Sequence, residues 1–92
     1  MTIDVQAVPV VPLNVRLRRH RGTALVIGYE HALELSDTAL EVWGRIDGER
    51  TVGEIAQHLV DTYGISTETA VEDVDALLQE LAQHQLVRVS TP

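Results

Sequence analysis

The chain has 92 residues, 45% of them hydrophobic, and a formal net charge of −7. This length suffices for one domain, whose core has to use Leu, Val, Ile and Ala because Phe is absent and Trp occurs once. The absence of cysteine excludes disulfides, thiolate catalysis and Cys-ligated metal centres, and it fits a cytoplasmic location. The negative charge argues against nucleic acid and anionic membranes as partners. No stretch has the length of a membrane span or the pattern of a signal peptide.

The predicted elements are three strands followed by three helices. Two prolines and little periodicity within residues 1–13 predict an extended N-terminal arm, ahead of a domain over residues 14–90. Period-two alternation and turn residues then predict short antiparallel strands at about residues 15–18, 23–27 and 31–35. We expect an α+β fold with a three-stranded antiparallel sheet followed by three helices, similar to a winged helix-turn-helix.

From Ser36 onward the hydrophobic period becomes helical. The predicted helices span about residues 37–46, 52–63 and 67–84, and a short extended segment over 86–89 closes the chain. Thr51 and Glu54 have the spacing of a capping box, which predicts the start of the second helix. Gly64 follows that helix at the position where a left-handed residue belongs.

The third helix carries two adjacent apolar stripes, which is wider than a single core contact needs. The stripes are Ala70, Val74, Leu77 and Leu81 on one side, and Val71, Leu78 and Ala82 on the other. If this helix packs beside the third strand, the second stripe floors a groove along an open sheet edge, where a peptide can add as a strand. The alternative is that the second stripe only completes the core.

No arrangement of residues indicates catalysis. The four histidines (His20, His31, His58 and His84) lack zinc-ligand spacing, and no nucleophile elbow or phosphate-binding loop is present. We therefore expect no enzyme activity, no metal and no cofactor, with a histidine-built metal site as an alternative. A winged-helix transcriptional regulator is a second alternative, but the third helix is acidic and has no basic residue to meet DNA.

An ordered set of short motifs resembles the PqqD-like family over about residues 13–89. The matching residues are Leu33-Glu34-Leu35-Ser36, Thr38-Ala39, Val42-Trp43, Asp47-Gly48, Arg50-Thr51-Val52, Glu54-Ile55-Ala56, Tyr63, Asp73-Val74, Leu77, Leu81 and Leu86-Val87. The sequence departs from the pattern at Ser36, where Asn is common, and at Gln85, where Gly often precedes the closing Leu-Val. The departure at Gln85 removes the usual glycine from the end of the third helix.

The resemblance implies a RiPP recognition element, a non-catalytic peptide chaperone of natural product biosynthesis. Such a module binds the leader segment of a ribosomally made precursor peptide and presents it to a partner leader peptidase or a radical-SAM or other tailoring enzyme. Among these pathways, lasso peptide biosynthesis is favoured, because small apolar pockets suit the Tyr and Pro of a lasso leader. An open edge strand also permits an edge-strand homodimer beside the monomer.

The resemblance also implies where the leader lies: antiparallel to the third strand, in the groove against the third helix. The implied contacts on the strands are Leu25, Ile27, Glu30, His31, Ala32, Leu33 and Glu34. The implied contacts on the helix are Val71, Val74, Asp75, Leu78 and Ala82. The best-matched residues are expected to be structural: Trp43, Asp47, Gly48, Thr51 and Ile55. The arginine cluster over residues 16–21 lies away from this groove, as a solvated strand face or as a docking surface for the enzyme.

Overall fold

The computed structural model describes residues 4–90, which form three helices and two small antiparallel sheets. The elements in chain order are β1 (Val8–Val10), β2 (Arg16–His20), β3 (Thr23–Ile27), β4 (Ala32–Leu35), α1 (Asp37–Trp43), α2 (Val52–Tyr63), α3 (Thr67–Gln83) and β5 (Arg88–Ser90). The predicted α+β fold, a three-stranded antiparallel sheet followed by three helices, is confirmed. Within residues 4–90, no helix combines the length and the apolar character needed to cross a membrane.

The three-stranded sheet has the order β2-β3-β4 and two distinct faces. Because successive side chains of a strand alternate between faces, Ala24 and Val26 of β3 point to one side and Leu25 and Ile27 to the other. Ala24 and Val26 are buried, whereas Ile27 is exposed. We call the side of Val26 the inner face and the side of Ile27 the outer face. The helices cover the inner face and leave the outer face to solvent.

The core lies between the inner face and the three helices. Its largest fully buried side chains include Val26 of β3, Ile55 and Leu59 of α2, and Leu81 of α3, with Leu86 just beyond. The predicted core of Leu, Val, Ile and Ala is confirmed, and Trp43 joins it at 9% exposure. No polar or charged side chain of residues 4–90 is buried, so the fold is held by apolar packing rather than by internal polar networks.

Residues 4–10 of the predicted arm are tied to the rest of the fold at two places. β1 pairs antiparallel with β5, Val8 opposite Ser90 and Val10 opposite Arg88. The carbonyls of Ala7 and Val5 accept hydrogen bonds from the backbone N–H groups of residues 52 and 53, each at 2.9 Å. These N–H groups belong to the first turn of α2, where no intrahelical partner exists. The first three residues of the arm lie outside the described part.

The helix starts follow the sequence prediction, but α1 is shorter than expected. Ser36 caps α1 through its Oγ, and Thr51 and Glu54 form both bonds of the capping box of α2. The prediction that α1 runs to Ile46 is wrong, because the helix ends at Trp43 and two tighter i to i+3 bonds carry the chain through Ile46. Ile46 is still half-buried against the core. The spacing of apolar residues therefore predicted that Ile46 is buried, but not the hydrogen-bond pattern of its backbone.

The C-terminal end of α3 forms a Schellman motif without glycine. The N–H of Leu86 donates to the carbonyl of Leu81 at 2.9 Å, and the N–H of Gln85 donates to that of Ala82 at 3.0 Å. Gln85 has φ +59°, the left-handed conformation that glycine adopts without steric cost. The buried contact partners Leu81 and Leu86 thus hold a non-glycine residue in a costly conformation.

We expect Gln85→Gly to raise the free energy of unfolding by about 0.5–1 kcal/mol, because the relief of left-handed strain outweighs the larger entropy of glycine in the unfolded chain. The matched reverse change is Gly64→Ala after α2, where φ is +68° and the space around the new Cβ is open. This change should lower the same free energy by about 1 kcal/mol. Urea unfolding of both variants and of wild type measures the free energy of unfolding. If Gln85→Gly is less stable than wild type, Gln85 is not strained.

Asp47 organises the turn between α1 and α2. Its Oδ1 accepts from the backbone N–H groups of Arg50 at 2.8 Å and Glu49 at 2.9 Å, and its Oδ2 lies 3.2 Å from the Arg50 guanidinium. The backbone hydrogen bond from Arg50, then that from Glu49, and the positive charge of Arg50 lower the pKa of Asp47 from its ordinary value of 3.8. The ionised carboxylate is therefore the form that the folded turn favours.

We expect Asp47→Ala to reduce stability near neutral pH and to matter less in acid. Because the pKa of Asp47 is lower in the folded than in the unfolded state, its contribution is fully present above the ordinary value of 3.8 and is lost as pH falls through the folded pKa. Urea midpoints of wild type and variant measured from neutral pH downward should converge below 3.8. If the difference between the two urea midpoints does not narrow at low pH, the ionised carboxylate of Asp47 does not have this role.

Candidate functional site

β4 is an edge strand of the three-stranded sheet. Among residues 4–90, β4 pairs only with β3, in a register that places Val26 opposite Leu33 and Ile27 opposite Ala32. The N–H of Gly28 donates to the carbonyl of His31 at 2.9 Å at the hairpin end. Since paired residues alternate between bonded and non-bonded positions along an antiparallel ladder, Ala32 and Glu34 direct their N–H and C=O groups outward.

A cleft of about 410 Å³ lies between the end of β4, the start of α1 and one face of α3. Its lining residues are Ser36, Thr38, Ala39, Val42, Asp73, Ala76, Leu77 and Glu80. Leu77, Ala39 and Val42 supply apolar surface, while Asp73 and Glu80 supply carboxylates at the rim. Beyond the cleft, the rings of His31, just before β4, and His84, the C-cap of α3, lie 5.2 Å apart between centroids. Residues 73, 77, 80 and 84 share one side of α3 at 100° per residue, and we infer that this side faces β4.

The structure brings together the predicted strand residues next to the hairpin. His31, Ala32, Leu33 and Glu34 lie along the free edge, and Glu30 is exposed in the turn before it. Leu33 is half-buried on the inner face and points to the side of α3, whereas Ala32 and Glu34 are on the outer face.

Leu25 and Ile27 occupy a different surface from the cleft. They lie on the outer face of β3, opposite Arg18 and Arg16 of β2. The pleat puts alternate residues of one strand on opposite faces, and their neighbours Ala24 and Val26 occupy the inner one. That Leu25 and Ile27 contact a bound peptide stays a prediction.

The predicted helix residues do not line the cleft, and their contact with a peptide stays a prediction. Val74 and Leu78 are buried in the core at 0% and 3% exposure. Ala82 lines a separate cavity with Pro12, Asn14, Tyr29, Gln85, Val87 and Arg88. At 100° per residue, the stripe of Val71, Asp75, Leu78 and Ala82 is centred about 160° around the helix from the stripe that faces β4. The buried residues Ala70, Val74 and Leu81 lie between the two.

The cleft is lined by residues that were not predicted as contacts from the sequence: Asp73, Ala76, Leu77 and Glu80 on α3, together with Thr38 and Ala39 on α1. The only available signal was the spacing of residues 73, 77 and 80, which is the i, i+4, i+7 pattern of one helix face. The predicted stripe has the same spacing. Periodicity alone does not distinguish the two sides of a buried stripe; the contact with α1 does.

The cleft is acidic and offers no metal-binding cluster. Asp73 and Glu80 line it, and Glu34 lies on the adjacent strand edge. In the described residues, no group of three or more His, Cys, Asp or Glu side chains is close enough to hold a metal ion. His58, the histidine on α2, is bonded through Nε2 to Glu41 at 2.9 Å. The arrangement is suited to bind an extended chain with neutral or basic side chains.

The fold and the cleft define a class of protein: a small α+β domain that leaves one strand edge open alongside a helix. This is the geometry with which strand-addition domains accommodate extended peptides.

The chain belongs to the PqqD family, as the motif resemblance predicts. The family described as Coenzyme PQQ synthesis protein D (PqqD) matches residues 20–87. The chain is 33% identical over 76 residues to the PqqA binding protein of Bradyrhizobium diazoefficiens, which covers 80% of this chain and 74% of that protein.

Two solved structures are similar in fold. One is the PqqD truncation of Methylobacterium extorquens PqqCD, described as a functional and stand-alone RiPP recognition element. Its TM-score is 0.72 with 33% identity, and the match covers 88% of each chain. The other is TbiB1 in complex with the TbiA(β) leader peptide, with a TM-score of 0.75 and 15% identity over 86% of this chain and 94% of that one. The second likeness shows the fold alone.

Proposed function

We propose that this chain binds the leader segment of a ribosomally made precursor peptide, as a strand added to the free edge of β4. The observation that carries the proposal is the pair of outward-facing residues Ala32 and Glu34 next to the cleft of α1 and α3. Family membership supports it, since the relative from Bradyrhizobium diazoefficiens is a PqqA binding protein and the Methylobacterium extorquens domain is a RiPP recognition element.

In this arrangement the added strand runs antiparallel to β4 and bonds to the N–H and C=O groups of Ala32 and Glu34. Its side chains alternate between the two faces of the sheet. Those opposite Leu33 and Leu35 point to the inner side, towards Leu77 and Ala39 of the cleft. We assign the peptide contacts to residues 31–34 of the edge and to Asp73, Leu77 and Glu80 of α3.

Binding of this kind needs no bond to be made or broken in the peptide. An added strand with filled side-chain pockets reaches micromolar affinity, which corresponds to about −8 kcal/mol. The carboxylates of Asp73 and Glu80 favour a leader with basic side chains at the inward positions and disfavour an acidic one. The protein acts by raising the local concentration of the precursor near its enzyme. We therefore propose a non-catalytic role.

The receiving partner in this proposal is a tailoring enzyme or leader peptidase. The relative from Methylobacterium extorquens supports a tailoring enzyme, because its PqqD domain is part of a longer PqqCD chain. The lasso peptide pathway stays a prediction from the motif resemblance. A DNA-binding role has no support in the helix that would have to enter the groove, since α3 carries five acidic residues and no arginine.

The first test removes one outward donor of β4. Ala32→Pro deletes the N–H that faces the added strand and leaves the ladder to β3 intact, because that N–H does not bond to β3. We expect Ala32→Pro to bind a fluorescein-labelled synthetic leader at least tenfold more weakly than wild type does, measured by anisotropy. The leader is that of the candidate precursor peptide from the same genome that wild type binds most tightly. The control Ala32→Val keeps the N–H and should bind within about twofold of wild type. Equal affinity of a folded Ala32→Pro rules out strand addition at β4.

The second test distinguishes the two sides of α3. Leu77→Glu removes the central apolar side chain of the cleft and puts a charge that has to lose water where the leader packs, so leader affinity should fall at least tenfold. Ala82→Glu puts the same charge on the exposed opposite stripe and should change affinity less than about twofold. Circular dichroism checks that both variants are folded. If only Ala82→Glu loses leader affinity, the peptide binds to the face of α3 that the sequence predicts.

A further inference from the structure

The outer face of the sheet is uncovered in the described structure, and its composition differs from the rest of the surface. Alternation along the paired strands places on this face Arg16, Arg18, His20, Thr23, Leu25, Ile27, Ala32 and Glu34. The pairing forms rows across the sheet, with Arg16, Ile27 and Ala32 in one row and Arg18, Leu25 and Glu34 in the next.

The positive charge of the chain is concentrated at this sheet. Four of its seven arginines fall within residues 16–21, on a chain of net charge −7. In residues 4–90 the ion pairs are Arg50 with Asp47 and His58 with Glu41, so Arg16 and Arg18 have no acidic partner among these residues. Glu34 shares a row with Arg18 but lies two strands away, about 10 Å. Exposed arginine side chains that form no ion pair within the protein attract an anionic surface of a partner.

Apolar side chains accompany these arginines. Ile27 is 36% exposed beside Arg16, and the half-buried Leu25 lies opposite Arg18. Arginine is enriched at protein interfaces relative to the rest of the surface and is among the residues that contribute most to binding energy, so arginines beside exposed aliphatic side chains suit a protein partner. Nucleic acid is disfavoured by the net charge of the whole chain, which repels phosphates outside this face.

The same face continues onto the proposed peptide. A strand added to β4 extends the sheet, and its residues opposite Ala32 and Glu34 point to the outer side. A protein that docks on Arg16 and Arg18 therefore lies next to the bound leader without occupying the cleft. This continuity is what a module needs if it hands a bound peptide to an enzyme.

We propose that the outer sheet face, centred on Arg16, Arg18 and Ile27, is the docking surface for an acidic and partly apolar surface of the enzyme that acts on the captured peptide. The inference rests on the proposed function for the identity of the partner. In this proposal the two faces of the sheet have different roles. The inner face and the cleft select the peptide, and the outer face binds the enzyme.

The test uses a matched pair of charge reversals on the full chain. Arg18→Glu alters the outer face, and Arg45→Glu makes the same charge change beside Glu54 and His58, away from the sheet. The probe is the purified enzyme that modifies or cleaves this precursor peptide, immobilised for surface plasmon resonance. We expect Arg18→Glu to weaken enzyme binding at least tenfold and Arg45→Glu to change it less than about twofold. Raised salt should weaken wild-type binding more than binding of Arg18→Glu.

Leader titration separates this proposal from the preceding one. Arg18→Glu should bind the labelled leader as wild type does, and a parallel loss of leader affinity places the arginines in the peptide site and overturns the docking surface. Unchanged enzyme binding by Arg18→Glu overturns it as well. If wild type fails to bind the leader but Arg18→Glu still impairs enzyme binding, only the peptide proposal fails.

Three control probes test other occupants of the face. Binding is measured to a 20-base-pair DNA duplex and to phosphatidylglycerol vesicles, and sedimentation equilibrium of the chain alone measures its oligomeric state. Binding of the duplex or of the vesicles that is tighter than binding of the enzyme, and lost in Arg18→Glu, replaces the proposal with a nucleic-acid or a lipid surface. A dimer that Arg18→Glu dissociates replaces it with contact between two copies.

Discussion

The inner face of the three-stranded sheet has to be covered, and the rest of the structure follows from how it is covered. Val26 at its centre is fully buried, together with Ile55 and Leu59 of α2 and Leu81 of α3. A sheet of only three strands buries enough apolar surface to be stable when helices pack on one side, and that packing leaves the opposite face and both edges in water. The free edge of β4 and the exposed outer face are therefore direct consequences of the smallness of the sheet.

The chain ends complete the fold by satisfying backbone groups that the helices leave unpaired. β1 pairs with β5, and the residues before β1 accept the first N–H groups of α2. At the other end of the helical layer, Gln85 adopts a left-handed conformation so that Leu86 can enter the core. Both features place backbone hydrogen bonds around the apolar core. None of them uses the outward side of β4, which has no strand partner among residues 4–90.

Charge is distributed so that the two proposed partners meet surfaces of opposite sign. The cleft next to β4 is bordered by Asp73 and Glu80, whereas the outer face presents Arg16 and Arg18. Like charges repel and opposite charges attract during encounter, so a basic leader and an acidic enzyme surface are directed to different sides of the same edge. The separation depends on the pleat, which sends alternate side chains of the edge region to opposite faces.

The amino-acid sequence by itself determined the elements, because caps, turns and hydrophobic periods act over a few residues. The strands, the capping box at Thr51 and the aliphatic core follow from such local signals, and so does the family motif. Only the tertiary structure decided which side of α3 faces β4, since Leu77 and Leu78 flank one buried stripe and differ in environment through contacts with α1. The pairing of β1 with β5 and the early end of α1 at Trp43 also depend on distant residues. An open strand edge was predictable from the sequence. The residues that line the cleft were not, because they depend on how α3 is oriented about its own axis, which only the packing against α1 sets.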